Sequence, residues 1–294
     1  MRIVVFTDPH IEEKSIEELG KFFDNLIEIP ADVCVCIGDY YDKKRPTVNE
    51  IKYGTLWASW LKNTFSDVYF IKGNHDEISN ELSSIDYLNN LGIHVVPELV
   101  LDNIGFFHCM TEKSNMAFST VVPNASKWEK HLKDFDKYTL TFLGHQHSFQ
   151  EVGEKVYHLG SCRYIDFGEV NDEHKYVALI NSKSNELEFL ENDDILPMKE
   201  VSTIKALEDI DRKTKTRYLF TSFDQFKKEI NKVSELSKEF AIFKTKLNFK
   251  EEPKEKKVEV ENINLNSIIK KWLEDIDDND VKKELKTEFE KANI

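Results

Sequence analysis

The sequence has no long apolar run, few cysteines and a deficit of positive charge. No stretch approaches the ~20 consecutive apolar residues of a membrane-spanning helix. Met1-Arg2 leads straight into Ile3-Val4-Val5-Phe6 without the pattern of a secretory leader, so a cytoplasmic protein is expected. Four cysteines in 294 residues make no disulfide framework. Cys34 and Cys36 alternate inside an apolar run, share one face of a strand and read as small buried filling. Lys and Arg number 40 against 54 Asp and Glu, and the net charge of -14 argues against a broad surface for nucleic-acid backbones.

What is present is 40% hydrophobic residues, enough for one large domain and a smaller one. The first half alternates strand and helix. Apolar runs at 3–7, 33–37 and 68–71 read as strands, and Leu19, Phe22, Phe23, Leu26 and Ile27 fall at helical spacing after Ser15, which with Glu18 reads as a capping box. A second helix is expected over 47–65, a short one near 83–91 and another over 127–132; further strands are expected at 93–96, 104–107, 139–143, 156–159 and 176–180. From about residue 195 the pattern becomes strand, helix, strand. Residues 251–257 are charged and contain Pro253, as a linker does, and two short amphipathic helices come after it, carrying Trp272 and Phe289. Such helices either fold back on the preceding segment or dock on another protein.

One set of residues recurs at the downstream ends of the strands: Asp8-x-His10, Gly38-Asp39-x-x-Asp42, Gly73-Asn74-His75-Asp76, His108 and Gly144-His145-x-His147. Open α/β sheets place ligands there. Singly, each residue has an ordinary structural explanation; together they gather carboxylates, imidazoles and an amide oxygen, a donor set suited to hard or borderline divalent ions such as Mn²⁺. No Cys joins the set, which argues against a structural zinc site. Gly38, Gly73 and Gly144 permit tight turns that carry the donors inward. Asp42 reads either as a support for a ligand His or as a loop cap. His94, His131, His158 and His174 match no part of the pattern, His131 being a distant substitute for His108.

In order and spacing these motifs resemble the calcineurin-like metallophosphoesterase superfamily. The resemblance implies an α/β sandwich of sheets flanked by helices, with two divalent ions. Asp8, His10, Asp39 and His147 would hold one ion, and Asp39, Asn74, His108 and His145 the other. His75 would act on the scissile phosphate, with Asp76 orienting its ring.

The later segment Val156-Tyr157-His158-Leu159-Gly160-Ser161, with Asp166-Phe167-Gly168-Glu169, is similar to the SbcD and Mre-type nuclease subunits of double-strand-break repair, and the tail looks like their compact bacteriophage versions. That likeness implies a metallophosphoesterase domain at 1–194, a small α+β cap at 195–250, a linker at 251–262 and a helical segment at 263–294 that binds an SMC-like (SbcC/Rad-type) ATPase. It also implies DNA as substrate and a homodimer formed through residues 47–65 and 82–91, where Trp57 and Trp60 either anchor the partner or pack on the sheet. Asp8-Pro9-His10-Ile11-Glu12 lacks the Leu-Gly common after the first motif of SbcD-like proteins, and only 36 residues separate His108 from His145, leaving little room for long DNA-contacting loops. Two other readings remain: a phosphodiesterase or phosphatase acting on a small phosphoester, and a scaffold with a vestigial site.

Overall fold

Strands β1 (Arg2–Phe6), β2 (Val33–Ile37) and β3 (Asp67–Ile71) are almost wholly apolar because both of their faces are covered. They pair in parallel, joined by helices α1 (Ile16–Leu26) and α2 (Val48–Thr64). The remaining strands of the first half and centre are β4 (His94–Val96), β5 (Leu99–Leu101), β6 (Ile104–His108), β7 (Leu140–Gly144), β8 (Gln150–Gly153), β9 (Val156–His158), β10 (Tyr176–Asn181) and β11 (Glu186–Glu191). One sheet has the order β11-β10-β1-β2-β3-β4, and a second has the order β5-β6-β7-β9-β8. The computed structural model describes residues 1–114 and 126–248. The linker expected at 251–262 and the helices expected at 263–294 lie outside the described residues.

The two-residue period of a strand sorts the core into layers. Ile3, Val5, Val33, Val35 and Ile37 face Ile104, Phe106 and Phe142 of the second sheet. Their neighbours Val4, Phe6, Cys34 and Cys36 face Leu19, Phe23, Trp57 and Leu61 of the two helices. The result is an α/β sandwich. Trp57 is 1% exposed and stacks on Phe23 at 4.9 Å, and Trp60 packs against the same layer, so Trp57 belongs to the core and is no anchor for a partner.

Three local expectations are corrected. Thr47 and Glu50 make the reciprocal capping box of α2, but Ser15 makes no side-chain cap for α1, because Glu18 is buried and turned to other partners. Residues 127–132 are not helical: the backbone runs beside Met110, and only Leu132–Phe135 forms a 3-10 turn. The helix expected near 83–91 is likewise a 3-10 turn, Asp86–Leu91.

Beyond these sheets come β12 (Met198–Val201), α3 (Ile204–Glu208), β13 (Lys215–Phe220), α4 (Phe223–Ser237) and β14 (Phe243–Leu247). They form a separate parallel sheet, β12-β13-β14, with Val233 and Leu236 of α4 buried. Among the described residues no helix is long and apolar enough to cross a membrane.

Candidate metal centre

The pairing of β1 with β2 does not stop where the strands end. Asp8 N donates to Gly38 O, His10 N to Asp39 O and Ile11 N to Tyr40 O, so the two donor-bearing loops stay in register. This ladder is held in an unusual backbone. Asp8 (φ 50°), His10 (φ 44°), Asp39 (φ 48°) and His145 (φ 79°) all occupy the left-handed region. Non-glycine residues pay about 1–3 kcal/mol each for such conformations, which persist where the surroundings over-determine them. Close approach matters as well: a side chain on Gly73 would strike the Asp39 carboxylate and amide.

Asp39 stands at the middle. Its Oδ2 lies 3.7 Å from His10 Nε2 and 3.4 Å from His108 Nε2, while Oδ1 accepts the amide of His75 at 2.8 Å. On one side Asp8, His10 and His147 converge; on the other are Asp39, His108 and His145. Asn74 joins the second group, its Oδ1 3.0 Å from His108 Nε2. Asp8 ties the two sides together by accepting the His145 amide at 3.1 Å. Every residue expected in the donor set is in the cluster, and His131 is not: it pairs with Glu112 at the surface.

The imidazoles point to the kind of group the cluster suits. His108 Nδ1 lies 2.8 Å from the Ile37 carbonyl, which can only accept, so Nε2 is turned to the cluster. There it meets the Asn74 oxygen and His145 Nδ1, at 3.2 Å. His10 is 1% exposed, yet neither ring nitrogen has a hydrogen-bond partner, although Nδ1 is 3.4 Å from Asp42 Oδ1. A buried ring without a partner, and ring nitrogens that face one another, are poor hydrogen-bonding arrangements and good ligand arrangements. The residues therefore fit divalent cations.

Charge obeys the same logic. Burial would depress the His108 imidazole, but Asp39 and Asp8 outweigh it and raise its pKa to about 10. For Asp39, burial works upward, and His108, His10 and His75 overcome it, holding the carboxyl well below the usual range. Burial and the charge on His108 push His145 down to about 3.

Supports for the donors come from elsewhere in the chain, and most were not visible as such in the sequence. His147 Nδ1 lies 3.4 Å from Glu169 Oε1. Glu169 is 3% exposed and is held by Lys175, Ser161 and the amides of Ile165 and Asp166. Despite burial, His147 and Lys175 hold the Glu169 carboxyl down at about 2. Asp42, at 3.4 Å from His10 Nδ1, sits as a support for that ligand. His158, fully buried, contacts the Gly144 carbonyl through Nδ1 and Ser114 through Nε2, one residue before His145. Arg163, 2% exposed, holds the carbonyls of Pro9 and His10.

The placing of Asp76 is a correction. The His75 ring is oriented by the Asp42 carbonyl, 2.6 Å from Nδ1. Asp76 is instead fully buried and accepts the amides of Gly73, Tyr40 and Tyr41, clamping the loops of β2 and β3 together. Burial, with Asp39 nearby, raises its pKa to about 7.

Fold and donor set together define a metal-binding α/β sandwich with its centre at the carboxyl ends of the strands. The sequence profile of the calcineurin-like phosphoesterase family matches residues 1–192, and the chain belongs to that family; it is a metal-dependent phosphoesterase using divalent ions. No curated protein matches the sequence. Among solved structures it is similar to an archaeal phosphodiesterase at 13% identity, covering 65% of this chain and 100% of that one with a TM-score of 0.40. A single mutant of Vps29 from Entamoeba histolytica matches at 18% identity, over 66% and 100% of the two chains, with a TM-score of 0.38. The nuclease MPE of Pseudomonas putida matches at 14% identity, over 64% and 87%, with a TM-score of 0.35.

Proposed function

We propose that the protein is a Mn²⁺-dependent DNA nuclease, exonucleolytic and endonucleolytic, acting as the SbcD-like subunit of a repair and recombination complex in a bacterial or phage-infected cytoplasm. The supporting observation is that the segment resembling SbcD and Mre-type subunits is built into the centre. The Ser161 amide donates to the His147 carbonyl, its hydroxyl lies 3.0 Å from Glu169 Oε2, and Glu169 faces the His147 ring. In this reading Asp8, His10, Asp39 and His147 hold one ion, and Asp39, Asn74, His108 and His145 hold the other. Such ions, when bound, withdraw charge from a phosphodiester and acidify a water molecule.

The chain's own residues do the rest. Asp39 is common to both positions, so it fixes their spacing. With Nδ1 held by the Asp42 carbonyl, His75 keeps Nε2 for the substrate, to steady charge developing on the phosphate or to protonate the leaving oxygen. Asp76 holds the loop that carries His75. The acidic surface implied by a net charge of -14 is offset locally by about four positive charges from two ions. A basic surface for the rest of the DNA comes from the partner, an SMC-like ATPase docked on residues 263–294 beyond the 251–262 linker, with residues 195–250 as a cap. Two copies associate through residues 47–65 and 82–91, where Val48 and Leu82 are exposed.

The alternative reading is a stand-alone phosphodiesterase or phosphatase acting on a small phosphoester, which the acidic composition favours. Linear DNA and a chromogenic phosphodiester, each incubated with the Mn²⁺-loaded protein, separate the two. Turnover of the small substrate alone, with DNA intact even when the ATPase is added, overturns the nuclease reading. Deleting residues 258–294 is expected to abolish ATPase association and to spare metal-dependent cleavage of short DNA; association that survives the deletion counts against docking through the tail.

A further inference from the structure

Two runs of contacts leave strand β13: one ends at the turn that carries Asp8 and His10, the other at His147. The first starts at Lys215, 2% exposed, whose ammonium donates to both Glu18 oxygens, at 3.0 and 2.9 Å, and to the Tyr164 carbonyl at 2.7 Å. Glu18, on α1, also accepts the Leu196 amide and lies 3.8 Å from Arg163 Nη1. Arg163 in turn donates from Nε to Pro9 O at 3.0 Å and from Nη2 to His10 O at 2.7 Å. Those carbonyls belong to the left-handed turn that presents Asp8 and His10.

The second run starts two residues along, at Arg217, on the same face of the strand. Its guanidinium lies over the Phe167 ring at 4.7 Å and donates to the Phe167 carbonyl at 3.3 Å. Phe167, Gly168 and Glu169 form one 3-10 turn, and Glu169 is the residue that faces His147 Nδ1. The hydrogen bonds and ion pairs of β13 reach none of Asp39, Asn74, His108 or His145.

Stability alone is a weak reason for such a network. A buried ion pair loses so much hydration that apolar replacements of similar volume are often neutral or stabilising. What apolar residues cannot do is hold Arg163 on two carbonyls of a strained turn. We propose that Lys215 and Arg217 are positioning residues for the ion position to which Asp8, His10 and His147 contribute, coupling the small sheet to that ion more strongly than to the other. The proposal rests on the two-ion reading of the centre and is independent of DNA as substrate.

The test uses the full chain, stripped of metal and titrated calorimetrically with Mn²⁺, with His10→Ala and Asn74→Ala as references for loss of one ion or the other. Lys215→Met and Arg217→Ala are each expected to weaken, by about tenfold or more, the ion lost in His10→Ala. The ion lost in Asn74→Ala should be weakened several-fold less, since it feels the turn only through Asp39 and the Asp8–His145 contact. Wild-type affinity at both positions, with only the melting temperature of the metal-free protein lowered, overturns the proposal and leaves a purely structural network. Equal weakening of both ions overturns it too. Should Lys215→Met fail to fold, Arg217→Ala decides alone, since that side chain is only partly buried. An unaltered protein that takes up fewer than two ions overturns the two-ion reading itself, before any variant is compared.

Discussion

His147 Nδ1 faces Glu169 Oε1 across 3.4 Å, so a ligand histidine is held by a carboxylate that is itself buried. Such a contact sets which ring nitrogen carries the proton and leaves Nε2 for a cation. Glu169→Gln keeps the shape and removes the charge, and Mn²⁺ affinity is expected to fall by about 10- to 100-fold. Isothermal titration reads this directly; an unchanged affinity would mean that the contact does not tune the ligand.

Asp39 Oδ2 lies within 3.7 Å of ring nitrogens on both sides of the cluster. Asp39→Asn is therefore expected to lose both ions and all turnover, whereas Asn74→Ala should lose one. Metal content by mass spectrometry after gel filtration distinguishes these. An Asp39 variant that keeps one ion at full affinity is incompatible with a shared ligand.

His75 is close enough to His10 and Asp39 to complete a ligand group with them, but its Nδ1 is occupied by the Asp42 carbonyl. His75→Gln is expected to retain both ions and to lower cleavage by about 10²- to 10⁴-fold, the usual worth of a positioned proton donor. A drop in metal content together with activity would place His75 among the ligands.

Trp57 stacks on Phe23 beneath the sheet. Trp57→Ala should cost about 3–5 kcal/mol in urea unfolding, with no change in association measured by sedimentation. Loss of a dimer at unaltered monomer stability would return Trp57 to an interface.

How much of this is legible in the sequence depends on whether the information is local. Apolar runs that stop at Asp8, Asp39 and Asn74 mark both a strand and the donor loop at its end, and His108, His145 and His147 come with the same punctuation. Ligand types can be read because each loop carries its own donors. The supports cannot, since a buried ion pair is defined by residues far apart in the chain. Glu18 fits a capping pattern three residues after Ser15, yet its partner Lys215 lies on β13, 197 residues along the chain, and no local feature distinguishes Lys215 from a surface lysine. Asp76 next to His75 suggests a pair, but the three amides it accepts are brought to it by the fold. Residues 127–132 have helical composition, and the backbone bonds with Met110 prevail there.

The donors are drawn from the downstream ends of five different strands, between residue 8 and residue 147. An ion held by Asp8 and His147 therefore acts on the chain as a clasp, closing a long stretch of polypeptide that an unfolded chain would have to close at an entropic cost. Whatever binds only the folded state stabilises it by mass action. Cleavage by a general protease should thus slow as Mn²⁺ is added, most of all at sites inside the clasped stretch.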